Sequence, residues 1–397
     1  MGSKMSGTID VTLGGTSIPI DSGVFELLFD NSVVRAYKGY TNAQSSGQIA
    51  FGDLVTLARK AEIPYPLFFA PLAVVAAQVD LKTRKLLQGV KKTTFSLNSR
   101  ATVELADVEL IVKDLVRKQE LVKKHDPTLR RNPIVGMLTR SQGSPERDAA
   151  ALLSELGLTT DAIHATKNKT QAAELLITRL EASHILVSRS VNGYMPQTLS
   201  KAKFSGLTVK DTKVPYIFLT GGSHGEDEEP VGRQVFTLSL LAVLVARRLF
   251  VPVTMNARRI KAAPHPEYSI VAEMLMPSAQ LRHCSLSSLD EIDALAERFK
   301  VTPSAVVVRA AHLGLLDRVV ADAHLSELAR AFAARPKSQA RTPRAPNAIR
   351  KYNGREFSLR MVDALDRGRM TPREFCQLAC ANRIKVADIP DFRSALK

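Results

Sequence analysis

At 397 residues, with 45% hydrophobic and 24% charged side chains, the chain has the make-up of a globular protein of two or three domains with room for a sizeable core. The longest apolar stretch, Leu238 to Ala246, ends at Arg247-Arg248, well short of the roughly 18 residues a membrane span needs. The N-terminus lacks the basic and apolar regions of a secretory signal, and three cysteines (Cys284, Cys376 and Cys380) are too few for a disulfide framework, so a cytoplasmic location is expected.

Residues 1–40 alternate polar and apolar positions (Ile9, Val11, Leu13; Ile18, Ile20), which predicts a short hairpin or a loosely ordered start. From Gln48 the spacing turns helical. Phe51, Leu54, Leu57, Ala58 and Ala61 recur every three or four residues until Ile63-Pro64 stops the run, and a second short helical region follows from Pro66 to Val79. Residues 80–145 are rich in Lys, Arg and Ser, with a helix predicted over Val103–Lys124. From Ser144 the texture is α/β. Helices are predicted over Pro145–Leu156 and Thr170–Ala182, and strands over His184–Val187, Phe204–Val209 and Pro215–Leu219. An acidic loop, Gly221–Pro230, then leads into a strongly apolar helix over Val235–Leu249. Further helices are predicted at Glu267–Leu275, Ser288–Phe299, Ser304–Leu313, Leu325–Ala334, Phe357–Asp366 and Pro372–Ala381. No repeat of fixed period is visible.

The net charge of +16 favours anionic partners, nucleic acid or acidic proteins. Part of it is local. One run holds Arg117, Lys118, Lys123, Lys124, Arg130 and Arg131; another holds Arg335, Lys337, Arg341, Arg344, Arg350 and Lys351 among three prolines. Each reads either as a solvated linker or as a phosphate-contacting patch. With no tryptophan and seven tyrosines, a base-stacking platform is not signalled. Cys376 and Cys380, four apart on a predicted helix, read as two small buried hydrophobes because no second ligand pair follows.

Residues 170–316 resemble the ImmA/IrrE family of zinc metallopeptidase-like proteins. The matching pieces keep the family's order. Ala172–Leu180 followed by Ile185–Val187 is similar to its leading helix and first strand. Phe204–Leu207 and Pro215–Leu219 resemble its next two strand segments, and Arg233–Leu238 resembles the R-x-x-F-T-L approach to the active-site helix. Val271–Pro277 is similar to F-A-A-x-L-L-M-P, and Arg298–Ala305 with His312–Leu316 to the downstream helix pair. Gln48–Leu72 and Asn353–Ile389 are similar to flanking segments of longer members. The resemblance implies an α+β, zincin-like scaffold, a small sheet packed on helices, with flanking helix-turn-helix-like segments. It implies these regions: an N-terminal helical region (1–80), a basic helical linker region (81–145), a degenerate zincin-like domain (146–286), helix-turn-helix-like helices (287–334), a basic Pro-containing linker (335–351) and a C-terminal helical tail (352–397).

The family's next helix carries H-E-x-x-H, two zinc ligands and a general base on one face. Here Leu240, Leu241 and Leu244 stand at those positions. Leucine has no lone pair to bind a metal or take a proton, so no catalytic residue, metal or cofactor is expected. A displaced site built from His224, His265 and Glu267 is the enzyme alternative. The resemblance then implies a regulator of a prophage or other mobile element that binds a repressor or activator protein without cleaving it. Direct DNA binding is the alternative. Three segments have a helix-turn-helix pattern, one of them Asp53–Phe69, with Leu54, Leu57 and Ala58 before Ile63-Pro64. Ile292–Arg309 offers Arg309 as its one obvious base-reading side chain; Arg369–Ile389 offers Arg373 after a Thr371–Glu374 capping box. With Arg335, Lys337, Arg341, Arg344, Arg350 and Lys351, these form the expected DNA- or partner-binding set.

Overall fold

Gly14 and Gly15 both take left-handed φ values, 56° and 83°, which a two-residue hairpin turn requires and a side chain opposes. They join β1 (Thr8–Leu13) to β2 (Thr16–Asp21), antiparallel from Leu13↔Thr16 to Thr8↔Asp21. β3 (Gln48–Ala50) pairs parallel to β1, completing a sheet of order β2-β1-β3. Pro19 lies on β2, an edge strand, where a residue without an N–H is tolerated. The computed structural model describes residues 7–30, 32–86, 105–199, 204–220, 229–253, 265–335 and 343–397.

The chain divides into two compact units. The first comprises Met1–Gln88, Thr102–Asp114 and Pro196–Ala202. The expected helical region 1–80 thus contains a three-stranded sheet as well as helices, the alternation of Ile9, Val11, Ile18 and Ile20 having outweighed any helical pattern. Around the sheet stand the helices Lys38–Ser46, Phe51–Lys60 and Leu72–Leu86. The core is aromatic: Phe68 packs against Phe25 and Phe29, with ring centroids 5.3 and 4.7 Å apart, and Tyr40 meets Phe29 edge-on. The fully buried Glu109 has the ammonium groups of Lys82 and Lys113 each 2.7 Å away, which compensates an otherwise expensive buried carboxylate.

The second unit holds a four-stranded mixed sheet of order β4-β6-β5-β7. β4 (Leu186–Arg189) runs parallel to β6 (Tyr216–Leu219), while β5 (Gly206–Val209) is antiparallel to β6 and to the short β7 (Pro252–Val253). Every residue of β5 and β6 is buried, as expected for a sheet covered on both faces. The helix Val231–Ala246 packs on β5 and β6 and against the helices Lys169–Ala182 and Pro266–Leu275. The architecture is therefore mixed α+β, small sheets packed among helices.

Helices at the C-terminus close one edge of this sheet. The expected linker 335–351 ends in a helix, Ala345–Asn353, and further helices follow at Arg355–Asp366 and Ile389–Leu396. Ser188 Oγ on β4 donates to the Tyr352 carbonyl, and the Tyr216 hydroxyl donates to the Asn353 carbonyl at 3.1 Å. Gly354, with φ 85° and ψ 152°, lies so close to β4 that a Cβ there would come within 2.5 Å of the Val187 carbonyl oxygen. The buried ammonium of Lys118 sits 3.9 Å from the centroid of the Tyr352 ring, tying the same helix down by a cation–π contact.

Glu181 is buried beneath this junction, accepting a hydrogen bond from the Glu356 N–H at 3.2 Å. Burial pushes its carboxyl up from 4.5 to about 7. The folded state therefore keeps Glu181 protonated where the unfolded chain ionises it. Its contribution to stability falls as pH rises from the unfolded value towards 7 and stays low above that. Glu181→Gln is expected to match wild type in urea unfolding near pH 4 and to exceed it by about 3 kcal/mol near pH 8. A difference that does not change with pH would show that the carboxyl is not held neutral.

Candidate functional site

From Val235 onward the helix Val231–Ala246 is buried on every side, so it belongs in an interior rather than on a surface. Leu240, Leu241 and Leu244 each have no exposure to solvent. Leu241 occupies the space above β5: a Cβ on Gly206 would fall 2.7 Å from its Cδ1, so the glycine makes room for the leucine. The helix's last carbonyls are satisfied by the loop at residues 132–139, where the Gly136 N–H donates to Val245 O at 3.3 Å and the Leu138 N–H to Ala246 O at 2.9 Å. Its interior polar groups are internally consumed, Ser239 Oγ donating to Val235 O at 3.1 Å. This helix face is packed core, with nothing on it to activate water or hold a cation.

Of the three residues considered for a displaced metal site, His224 lies outside the described residues. His265 is the N-cap residue of the Pro266–Leu275 helix. Glu267, two residues on in the first turn, is buried and paired with Arg247 Nε at 3.2 Å. Among the described residues no three His, Cys, Asp or Glu side chains converge as a metal site requires. Cys376 and Cys380 are both buried, and burial raises the Cys380 thiol to about 12, which keeps it protonated.

Two capped helices span the segment Ile292–Arg309. Ser288 and Glu291 make a capping box on the helix Leu289–Arg298, and Thr302 caps the helix Pro303–His312. Its second helix, however, presents no exposed residue, and Arg309 is buried against the Glu273 carboxylate. Assigning Arg309 to a DNA-facing surface is therefore overturned: its charge is spent on an ion pair in the core, and Glu273 Oε2 is also held, by the Ser278 N–H at 3.1 Å.

The basic run divides likewise. Arg350 Nη1 donates to the Ala395 carbonyl at 2.8 Å, and Lys351 is half-buried, its pKa lowered mainly by burial. Both are half-buried and contribute to the packing of the C-terminal helices. Arg335, Arg344 and Arg373 are exposed. Lys337 and Arg341 lie outside the described residues.

One polar pair escaped the sequence reading. Ser205 Oγ donates to Glu229 Oε1, and burial raises the Glu229 carboxyl. Beside it Thr220 Oγ1 donates to the Phe204 and Ser205 carbonyls, both at 2.9 Å. Ser205 and Glu229 stand 24 positions apart, so the contact leaves no local signal in the sequence. Comparisons of the chain with protein-family models, curated proteins and solved structures find no match.

Proposed function

We propose that the chain is a non-catalytic regulatory protein on an ImmA/IrrE-like, zincin-like scaffold. In this reading it is a cytoplasmic pseudo-peptidase that controls transcription of a prophage or other mobile element by binding a repressor or activator without cleaving it. The observation that carries the reading is the complete burial of Leu240, Leu241 and Leu244 in the helix that the resemblance assigns to zinc and general base. An all-apolar helix face supplies neither the ligands nor the polar shell that a catalytic zinc needs.

The test is the zinc content of protein purified without chelator, with a thermal melt before and after EDTA. Far less than one zinc per chain and an unmoved melt are expected. One zinc per chain lost to EDTA along with stability would return the enzyme reading. Deleting the gene is expected to change repressor-controlled transcription.

A second reading, direct binding to DNA, is favoured by how the charge divides. Residues of the first unit include 10 Lys and Arg against 11 Asp and Glu, whereas those of the second include 45 against 28. The whole positive excess thus belongs to the second unit, where an electrostatic footprint for a polyanion would lie.

A further inference from the structure

We propose that the C-terminal helices form a helix-turn-helix that docks on duplex DNA, with Arg373 and Gln377 facing the base edges. The proposal rests on the DNA-binding reading and gives it a site. The helix Arg355–Asp366 is followed by Gly368, Arg369 and Met370, with Gly368 at a φ of 66°, and Thr371 then caps a second helical segment running from Pro372 to Ala379. Two helices joined by a turn of three or four residues that includes a glycine are the hallmark of this motif. Phe357, Met361 and Ala364 of the first helix, Met370 of the turn and Phe375, Cys376 and Ala379 of the second are all buried, and Phe375 stacks edge-on against Phe392 of the helix Ile389–Leu396.

The burial pattern turns the opposite side of the second segment outward. Arg373, Gln377 and Leu378 are exposed, and the side chains of Arg373, Gln377 and Arg383 make no hydrogen bond or ion pair among the described residues. Arginine and glutamine are the side chains that read guanine and adenine bidentately in the major groove, and an exposed leucine suits a thymine methyl. This contrasts with the Pro303–His312 helix, whose cation is buried.

Two carboxylates on this surface are held by backbone groups of their own segment. Glu374 folds back on its own cap, accepting from the Thr371 N–H at 2.8 Å and hydroxyl at 2.9 Å, and Asp388 accepts from the Lys385 N–H at 2.8 Å. At the near end, Arg369 Nη1 donates to the His125 carbonyl at 2.8 Å, which brings the exposed Lys124 beside the turn. Lys124, Arg383 and Lys385 are thus placed as phosphate contacts flanking the segment that would enter the groove.

The test is fluorescence polarisation of a short mixed-sequence duplex with the purified full-length chain across a sodium chloride series. Wild type is expected to bind at low salt, with log affinity falling linearly against log salt. R373A/Q377A is expected to lower affinity on the order of tenfold, and R383E/K385E to flatten the salt slope by about two. R282E/R330E, which alters exposed arginines elsewhere in the same unit, is expected to stay within about twofold of wild type. All these positions are exposed, so thermal melts should be unchanged. No binding at low salt removes the DNA reading as a whole. Binding that is untouched by R373A/Q377A, or equally lost in R282E/R330E, removes this site alone. Competition by polyglutamate as effective as that by unlabelled duplex would overturn the proposal in favour of an acidic protein partner.

Discussion

A chain carrying L240H, L241E and L244H is expected to lose the fold of its second unit and to bind no zinc. Each leucine is fully buried, and removing one from the core forfeits about 1.5–3 kcal/mol of burial. Each new polar group adds about 1–3 kcal/mol if it finds no partner. Three such changes on one helix rival the ~5–15 kcal/mol by which a typical native state is stable at all. Nothing nearby relieves them: Leu241 fills the space over Gly206, and Ser239 already satisfies itself on Val235 O. Circular dichroism melts and elemental mass spectrometry of the triple variant check this. A soluble variant with a wild-type melt and one zinc per chain would mean that the site is only dormant.

Gly354→Ala is expected to cost on the order of 3 kcal/mol and to free the C-terminal helices from the sheet. Its backbone, at φ 85° and ψ 152°, is in a region essentially reserved for glycine, and a non-glycine residue there carries about 1–3 kcal/mol of strain. The added methyl would also meet the Val187 carbonyl at 2.5 Å and Glu181 Oε1 at 2.6 Å. The first of these atoms is backbone in a paired strand and cannot step aside. The junction would have to open, exposing Ser188 and the Tyr352 carbonyl. Urea unfolding gives the stability loss, and hydrogen exchange at β4 should rise selectively. Wild-type stability with unchanged exchange would show that the contact is softer than its distances imply.

Local features were the most legible. The capping box at Thr371–Glu374, the helix beginning near Phe51 and the run of three central strands follow from a few neighbouring residues. The central helix was expected over Val235–Leu249 but spans Val231–Ala246. Leu249-Phe250-Val251 continues the apolar run without continuing the helix, because Arg248 takes a φ of 57° and turns the chain towards β7. Periodicity cannot separate a buried helix from the buried chain that follows it. β4 was expected from His184 and starts at Leu186, His184 itself using a φ of 58° to leave the preceding helix.

The candidate site was legible only in part, for a different reason. That Leu240, Leu241 and Leu244 could not hold a metal is written in their side chains. That Arg309 is buried depends on Glu273, 36 residues away, and a cation on an amphipathic helix looks the same in sequence whether it meets solvent or a carboxylate. The bond from Arg350 to the Ala395 carbonyl, 45 residues downstream, is equally invisible in the local sequence. Gln377 carries no charge, so the basic runs do not point to it, although it is exposed and one turn from Arg373.

The seal over β4 also sets an order of events during synthesis. Ser188 and Tyr352 are 164 residues apart, so the strand leaves the ribosome long before the segment that covers its edge. At about 5–20 residues per second, that interval is roughly 10–30 s. For that time the nascent chain carries an unpaired strand edge able to recruit another strand, from a neighbouring copy or a chaperone. The covering helices therefore guard the folding pathway as well as the finished fold, and chains that terminate before Tyr352 should be the ones that aggregate.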